Sequence, residues 1–228
     1  MYIYVKRVMD ILFMLASAPL WIPLMVWLAI LVKVTSSGTV FFKQKRFGRN
    51  GKFFMIYKFR SMYTDAPKDV PTHLLKDPQA HITPIGRFLR KSSLDELPQV
   101  FNILKGELTL VGPRPALWNQ DDLIAEREKY GANAIPVGLT GLAQVRGRDE
   151  LPINTKAAYD GEYAQKMSFT LDIKILFQTA INALTASGIS EGGPAGGNAD
   201  DVQGESVHLE ASDCISEDEQ LQVVGEEV

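Results

Sequence analysis

Cysteine is nearly absent: Cys214 is the single one in 228 residues. That excludes an internal disulfide framework and fits a reducing compartment. Histidine is scarce too. His73 and His81 fall in a proline-rich stretch, with neither helical ligand spacing nor a neighbouring cysteine, so they read as loop residues rather than metal ligands. No internal repeat is visible. Lysine and arginine are missing altogether from 191–228, which holds eleven acidic residues. Gly, Ala, Ser and acidic residues dominate that stretch and no hydrophobic period survives, so 191–228 reads as a disordered acidic tail. Taking those eleven from the 27 acidic residues leaves sixteen against 24 basic ones, so the body carries about +8 despite a whole-chain charge of −3. A basic body points to anionic partners: lipid head groups, phosphates or nucleic acid.

One long stretch lacks charge. Ile11–Val32 is uncharged, and its 22 residues would reach about 33 Å as a helix, enough to cross a bilayer core. Three readings compete. A signal peptide would be cut after Ala16-Ser17-Ala18, but Pro19 would then follow the cut and the apolar run continues far beyond it. A straight span would place its two basic flanks, Lys6 and Arg7 before and Lys33, Lys43, Lys45, Arg46 and Arg49 after, on opposite sides. A helix that enters, bends at Pro19 or Pro23 and returns keeps both flanks on the cytoplasmic side. Charge and proline position favour this third reading.

Beyond the run, Thr39–Phe42 and Phe53–Tyr57 read as strands joined by the turn Gly48-Arg49-Asn50-Gly51. Residues 64–84 read as a loop. Ile85–Leu104 reads as a helix in two parts, broken near Ser92. Glu107–Val111 is extended, Asp121–Tyr130 a polar helix, and 136–148 a glycine-rich segment. Tyr159–Leu184 is amphipathic in its latter half, suited to packing on a core or lying on a membrane.

The centre of the chemistry is Ser92-Ser93-Leu94-Asp95-Glu96-Leu97-Pro98. Adjacent carboxylates can divide labour, one attacking phosphorus while the other holds a metal or a proton. Phosphoryl transfer also needs nearby cations and Mg²⁺, and Arg87, Arg90 and Lys91 are close in sequence. The bland alternative is a helix start, since Ser93-x-x-Glu96 matches a capping box, although Pro98 would then sit where it costs a hydrogen bond. Arg114, stiffened between Pro113 and Pro115, suits phosphate oxygens or is an exposed turn arginine. Lys58 and Arg60 would share one strand face as a cationic strip, or as a solvated face. Gln144, Arg146 and Arg148 alternate in the same way.

Taken in order, these segments resemble one family. Ser93-Leu94-Asp95-Glu96-Leu97-Pro98-Gln99, Phe101-Asn102-x-Leu104-Lys105-Gly106 and Leu110-Val111-Gly112-Pro113-Arg114-Pro115 look like the signature of the bacterial sugar transferases, the monotopic polyprenyl-phosphate phosphoglycosyl transferases. Tyr57-Lys58-Phe59-Arg60-Ser61-Met62, Gly138-Leu139-Thr140-Gly141-x-Ala143-Gln144-Val145-x-Gly147-Arg148 and Leu171-Asp172-Ile173-Lys174-Ile175-Leu176 extend the likeness across roughly 3–190.

The resemblance implies a helix-rich α/β fold: a re-entrant membrane helix (1–35), then a catalytic domain (36–190) with amphipathic surface helices and a small α/β region, followed by the acidic tail (191–228). It implies transfer of a sugar-1-phosphate from a UDP-sugar to polyprenyl (undecaprenyl) phosphate, initiating a surface glycan such as an exopolysaccharide, capsule or lipopolysaccharide. Asp95 would be the nucleophile that forms an aspartyl-phosphosugar and releases UMP, with Glu96 assisting. Both would hold Mg²⁺. Lys58, Arg60, Arg90, Pro113, Arg114, Gln144 and Arg148 would bind substrate. The implied location is the cytoplasmic face of the bacterial inner membrane, among its lipids. A homodimer is left open, and no nucleic acid is expected.

The chain departs from the family in three places. Ile22 precedes Pro23 where the family has serine, Leu142 stands for tryptophan, and Arg146 for asparagine. Two rivals remain: a phosphodiesterase or pyrophosphatase that uses water as acceptor, and a non-catalytic membrane assembly factor.

Overall fold

The computed structural model describes residues 2–67, 77, 79–147 and 151–185. The expected tail 191–228, His73 and Arg148 lie outside the described residues.

The apolar run is not one helix. α1 (Tyr2–Ala16) and α2 (Ala18–Thr35) meet at Ser17. Pro19 is the second residue of α2, where a missing N–H costs nothing. Ser17 Oγ donates to the Phe13 carbonyl at 2.6 Å, and Trp21 Nε1 donates to the Met14 carbonyl at 2.9 Å. These bonds satisfy the Phe13 and Met14 carbonyls at the break. Of the two prolines expected to mark the bend, Pro19 lies next to the break, whereas Pro23 lies inside α2 without ending it. Ser17 makes the side-chain hydrogen bond at the break.

α1 is inside out. Its buried residues are Lys6, Asp10 and Met14, while Val5, Val8, Leu12, Phe13 and Leu15 are exposed. α2 buries Met25, Leu28 and Val32 and exposes Leu20, Val26, Trp27, Ile30 and Val34. By length and composition α2 could cross a membrane.

β1 (Phe41–Phe47) and β2 (Phe53–Phe59) form an antiparallel hairpin with Gln44 opposite Ile56. The turn has left-handed Asn50 (φ 54°) and Gly51 (φ 74°), as its residue types predict. β1 starts later and runs five residues further than apolar alternation suggests. Tertiary pairing explains the extension: Lys45 lies over the Phe53 ring and Lys43 over Tyr57.

α3 (Pro84–Lys91) follows, capped by Thr83, whose hydroxyl accepts from Gly86 N at 3.0 Å. A 3₁₀ turn (Leu94–Gln99) leads into α4 (Val100–Lys105), which ends at left-handed Gly106. Then come β3 (Thr109–Val111), α5 (Asp121–Glu128), β4 (Gly138–Thr140), α6 (Leu142–Arg146), α7 (Ile153–Lys166) and α8 (Phe169–Leu184). The helix expected over 159–184 is interrupted at Met167 and Ser168, and Ser168 caps α8 through Leu171 N at 3.4 Å.

The glycine-rich segment serves a backbone crossing. β4 runs parallel to β3, and a Cβ on Gly138 would sit 2.1 Å from Gly112 N, one on Gly141 2.2 Å from Gly112 O. Only glycine permits that approach. The crossing fixes the start of Gly112-Pro113-Arg114-Pro115: Gly112 N donates to Thr140 O and Gly138 N to Pro113 O, both at 2.8 Å.

Two apolar clusters make the core. One gathers Met14, Ile56, Ile103, Val111, Val137 and Ile175; the other gathers Met25, Leu28, Val32, Phe59 and Leu89. Trp21 and Leu97 pack against both, so α2 and the 3₁₀ turn share one core. Each fully buried leucine or isoleucine contributes about 1.5–3 kcal/mol. On α8, Phe169, Ile173, Phe177 and Ile181 are exposed at four-residue spacing while Asp172 and Ile175 are buried. That leaves an uncovered apolar stripe.

Candidate active site

The carboxylate pair is presented by a kink. α3 ends at Lys91, and Ser93 adopts a left-handed conformation (φ 56°) that redirects the chain into the 3₁₀ turn. The capping box is not formed, because the Ser93 side chain makes no cap hydrogen bond. Asp95 and Glu96 occupy the first turn, pressed against β2.

Lys58 on β2 reaches both. Its Nζ lies 2.6 Å from Glu96 Oε1 and 3.8 Å from Asp95 Oδ2. Arg114 Nη2 meets the same Glu96 oxygen at 2.9 Å. Glu96 thus takes two tight cation contacts, and Asp95, 8% exposed, takes a longer one. The two acids differ accordingly. Burial pushes the Asp95 carboxyl up, outweighing Lys58, and the Glu96 charge adds to the rise. Burial also acts on Glu96, but Arg114 and Lys58 together overcome it and hold that carboxyl well below the usual range. The charge of Arg90, on α3, also acts on Asp95.

The other expected residues are placed as follows. Pro113 is held at the β3–β4 crossing through its carbonyl. Arg60 lies one residue past the end of β2 and so does not extend a strip with Lys58. It is 5% exposed, and its Nη2 donates to the Ser36 carbonyl at 2.7 Å and Ser36 Oγ at 2.6 Å. This ties the hairpin to the end of α2. Gln144 faces the glycine crossing, its Nε2 donating to Leu139 O at 3.2 Å.

Sequence reasoning missed Asn102. It is fully buried, accepts from Tyr57 N at 3.0 Å, and donates to Met55 O and Glu107 Oε2, both at 2.7 Å. These bonds lock α4 to β2 and so fix Lys58 against the carboxylates. A lone amide within the apolar Val100–Leu104 stretch was the available signal. Lys6 and Arg7 are also turned inward. Lys6 pairs with Asp172, and Arg7 donates to the carbonyls of Ile103 and, at 2.9 Å, Leu104. Their spacing with Asp10 on one helical face was legible in the sequence.

Among the described residues no three His, Cys, Asp or Glu side chains gather into a metal cluster. Two adjacent carboxylates are nevertheless the protein share that Mg²⁺ takes when phosphates and water complete its shell. Asp95 and Glu96 fit that mode.

The description "Bacterial sugar transferase" belongs to a family model that matches residues 1–186. The chain belongs to that family. The chain is 38% identical over 200 residues to the undecaprenyl-phosphate galactose phosphotransferase of Salmonella typhimurium, covering 81% of this chain and 41% of that protein. It is 39% identical over 191 residues to the UDP-glucose:undecaprenyl-phosphate glucose-1-phosphate transferase of Xanthomonas campestris pv. campestris, covering 80% and 39%. It is 34% identical over 188 residues to the exopolysaccharide production protein ExoY of Sinorhizobium fredii, covering 76% and 83%. The chain thus spans about two fifths of the Salmonella and Xanthomonas proteins and most of the Sinorhizobium one.

Proposed function

We propose that this sugar transferase moves a sugar-1-phosphate from a UDP-sugar to undecaprenyl phosphate, through a covalent intermediate on Asp95, as the first step of a surface glycan. The observation that carries the reading is the division between the two acids. Glu96 is clamped by Lys58 and Arg114, whereas Asp95 has only the longer contact with Lys58, leaving it the freer carboxylate.

In the first step an Asp95 oxygen attacks the sugar-bearing phosphorus of the donor. The bond from that phosphorus to the bridging oxygen breaks, and UMP leaves with the electron pair. In the second step an oxygen of undecaprenyl phosphate attacks the same phosphorus, and the acyl-phosphate P–O bond breaks to restore the Asp95 carboxylate. Arg114 and Arg90 stabilise charge on the phosphate oxygens. Lys58 favours the ionised form of Asp95. Glu96 holds Lys58 and Arg114 in register. Bound Mg²⁺, held by Asp95 and Glu96 with the donor phosphates, would neutralise diphosphate charge.

The same reading has α1 and α2 enter and leave the cytoplasmic face of the inner membrane as a re-entrant pair, with α8 on its surface. The exposed apolar faces of all three helices and the break at Ser17 support it.

Intact mass tests the chemistry. Wild-type protein and Asp95→Asn are incubated with Mg²⁺ and a panel of UDP-sugars, without lipid. A gain of one phosphosugar in the wild type alone, discharged by undecaprenyl phosphate, is expected. UMP release only with lipid and no adduct would instead favour direct transfer. UMP release without lipid and without adduct would favour the hydrolase.

A further inference from the structure

Tyr163 on α7 is 1% exposed, and its hydroxyl has two acceptors: Asp172 Oδ1 at 2.7 Å and the Val111 carbonyl at 3.1 Å. A phenol has one proton to give. Asp172, on α8, also accepts from two α1 donors, Lys6 Nζ and the Tyr2 hydroxyl, the latter at 2.7 Å. Val111 ends β3, directly before the Gly112-Pro113-Arg114 loop. The other end of β3 is tied to α1 as well. Asp10 accepts from Thr109 Oγ1, and from Leu110 N at 3.4 Å.

We propose that Tyr163 is a positioning residue for Arg114, and that α1 governs it by satisfying Asp172. With Lys6 and Tyr2 in place, the Asp172 carboxylate has donors of its own, and the Tyr163 proton can be shared with the Val111 carbonyl. With α1 unseated, Tyr163 is the donor left to a buried carboxylate, which draws the proton because charged acceptors form the stronger bond. The Val111 carbonyl then loses it. The loop retains its β4 contacts at Gly112 and Pro113 but is released on the side facing α7. Arg114 rides on that loop, so the seating of the anchor helix is felt where Glu96 is clamped. No atom of Tyr163 touches substrate in this arrangement; it acts through the backbone.

The inference rests on the proposed role of Arg114 at the donor phosphates, and the test separates the two. Full-length Tyr163→Phe keeps the ring packing and removes the proton. Amide hydrogen exchange in bilayer nanodiscs reads the loop without any substrate. Gly112 and Ala116 should exchange about tenfold faster in the variant, with α5 unchanged as an internal control. Kinetics then use whichever of UDP-glucose, UDP-galactose and UDP-N-acetylgalactosamine the wild type turns over fastest. KM for the donor should rise about tenfold with kcat within about threefold, the cost of one misplaced charged contact. A merely structural defect lowers the active fraction and leaves KM unchanged. Lys6→Met should copy the KM rise, and adding Asp172→Asn should relieve it, because a neutral amide no longer draws the tyrosine proton. Unchanged exchange in Tyr163→Phe overturns the inference whatever the kinetics show. If the wild type turns over no donor, the functional reading fails and exchange alone decides this one.

Discussion

Replacing Lys58 with methionine removes the charge that the buried Asp95 carboxylate leans on. Lys58 Nζ is 3.8 Å from Asp95 Oδ2. At that distance two unit charges attract by about 4 kcal/mol at an effective dielectric near 20. Arg90 and Arg114 remain, and water relaxes into part of the space, so about 1.5–3 kcal/mol of preference for the ionised form is lost. A buried carboxyl that loses a facing cation is easier to protonate. The sign follows from the reaction. In the proposed mechanism the Asp95 carboxylate attacks, so rate is lost as pH falls through the Asp95 pKa, which burial already holds above the ordinary value. Removing a cation raises that pKa further and moves the acid limb of the pH–rate profile upward. The assay is UMP release across pH for wild type, Lys58→Met and Lys58→Arg, with Lys58→Arg keeping most of the limb in place. A rate reduced equally at every pH, with an unmoved limb, would falsify the reasoning and assign Lys58 to the donor phosphates.

Other changes have outcomes set by geometry. Gly138→Ala places a Cβ 2.1 Å from Gly112 N; the crossing must open, costing about 1–3 kcal/mol or more and lowering the melting temperature by several degrees. Asn102→Ala strands the Tyr57 amide and the Met55 carbonyl, so a chemical melt should show a loss of about 2–4 kcal/mol. An undiminished midpoint would mean that water replaces the amide. Glu96 has a depressed pKa, so its contribution to stability is present above the ordinary carboxylate range and is lost as pH falls through and below it. Glu96→Gln should therefore flatten the acid side of a stability–pH curve, and an unchanged slope would refute the ion-pair account. Deleting 191–228 should leave turnover in vitro within about tenfold, since the family match ends at residue 186; a larger loss would give the tail a catalytic role.

Local signals in the sequence were read well where one residue type forces one conformation. The hairpin turn at Asn50-Gly51 is of this kind, and the break near Ser92 was placed as well. Signals that depend on a distant partner were not legible. Ser93-x-x-Glu96 matches a capping box in isolation, but Lys58 and Arg114 claim the glutamate, and Ser93 turns left-handed instead. Lys58 and Arg60 look equivalent along a strand, yet the strand stops between them. Lys6 and Arg7 read as a membrane flank; their common face with Asp10 was visible, but not the partners of that face, which lie about a hundred residues or more away.

The inverted face of α1 bears on how such proteins can be recombined. A membrane anchor that offers only apolar surface is interchangeable with any apolar helix of similar length. α1 is not interchangeable in that way, because Lys6, Arg7 and Asp10 answer specific groups on α8, α4 and β3. A chimera with a generic apolar helix would leave Asp172 short of two of its donors and several backbone groups without partners inside the domain. Anchor and catalytic domain have to be exchanged together.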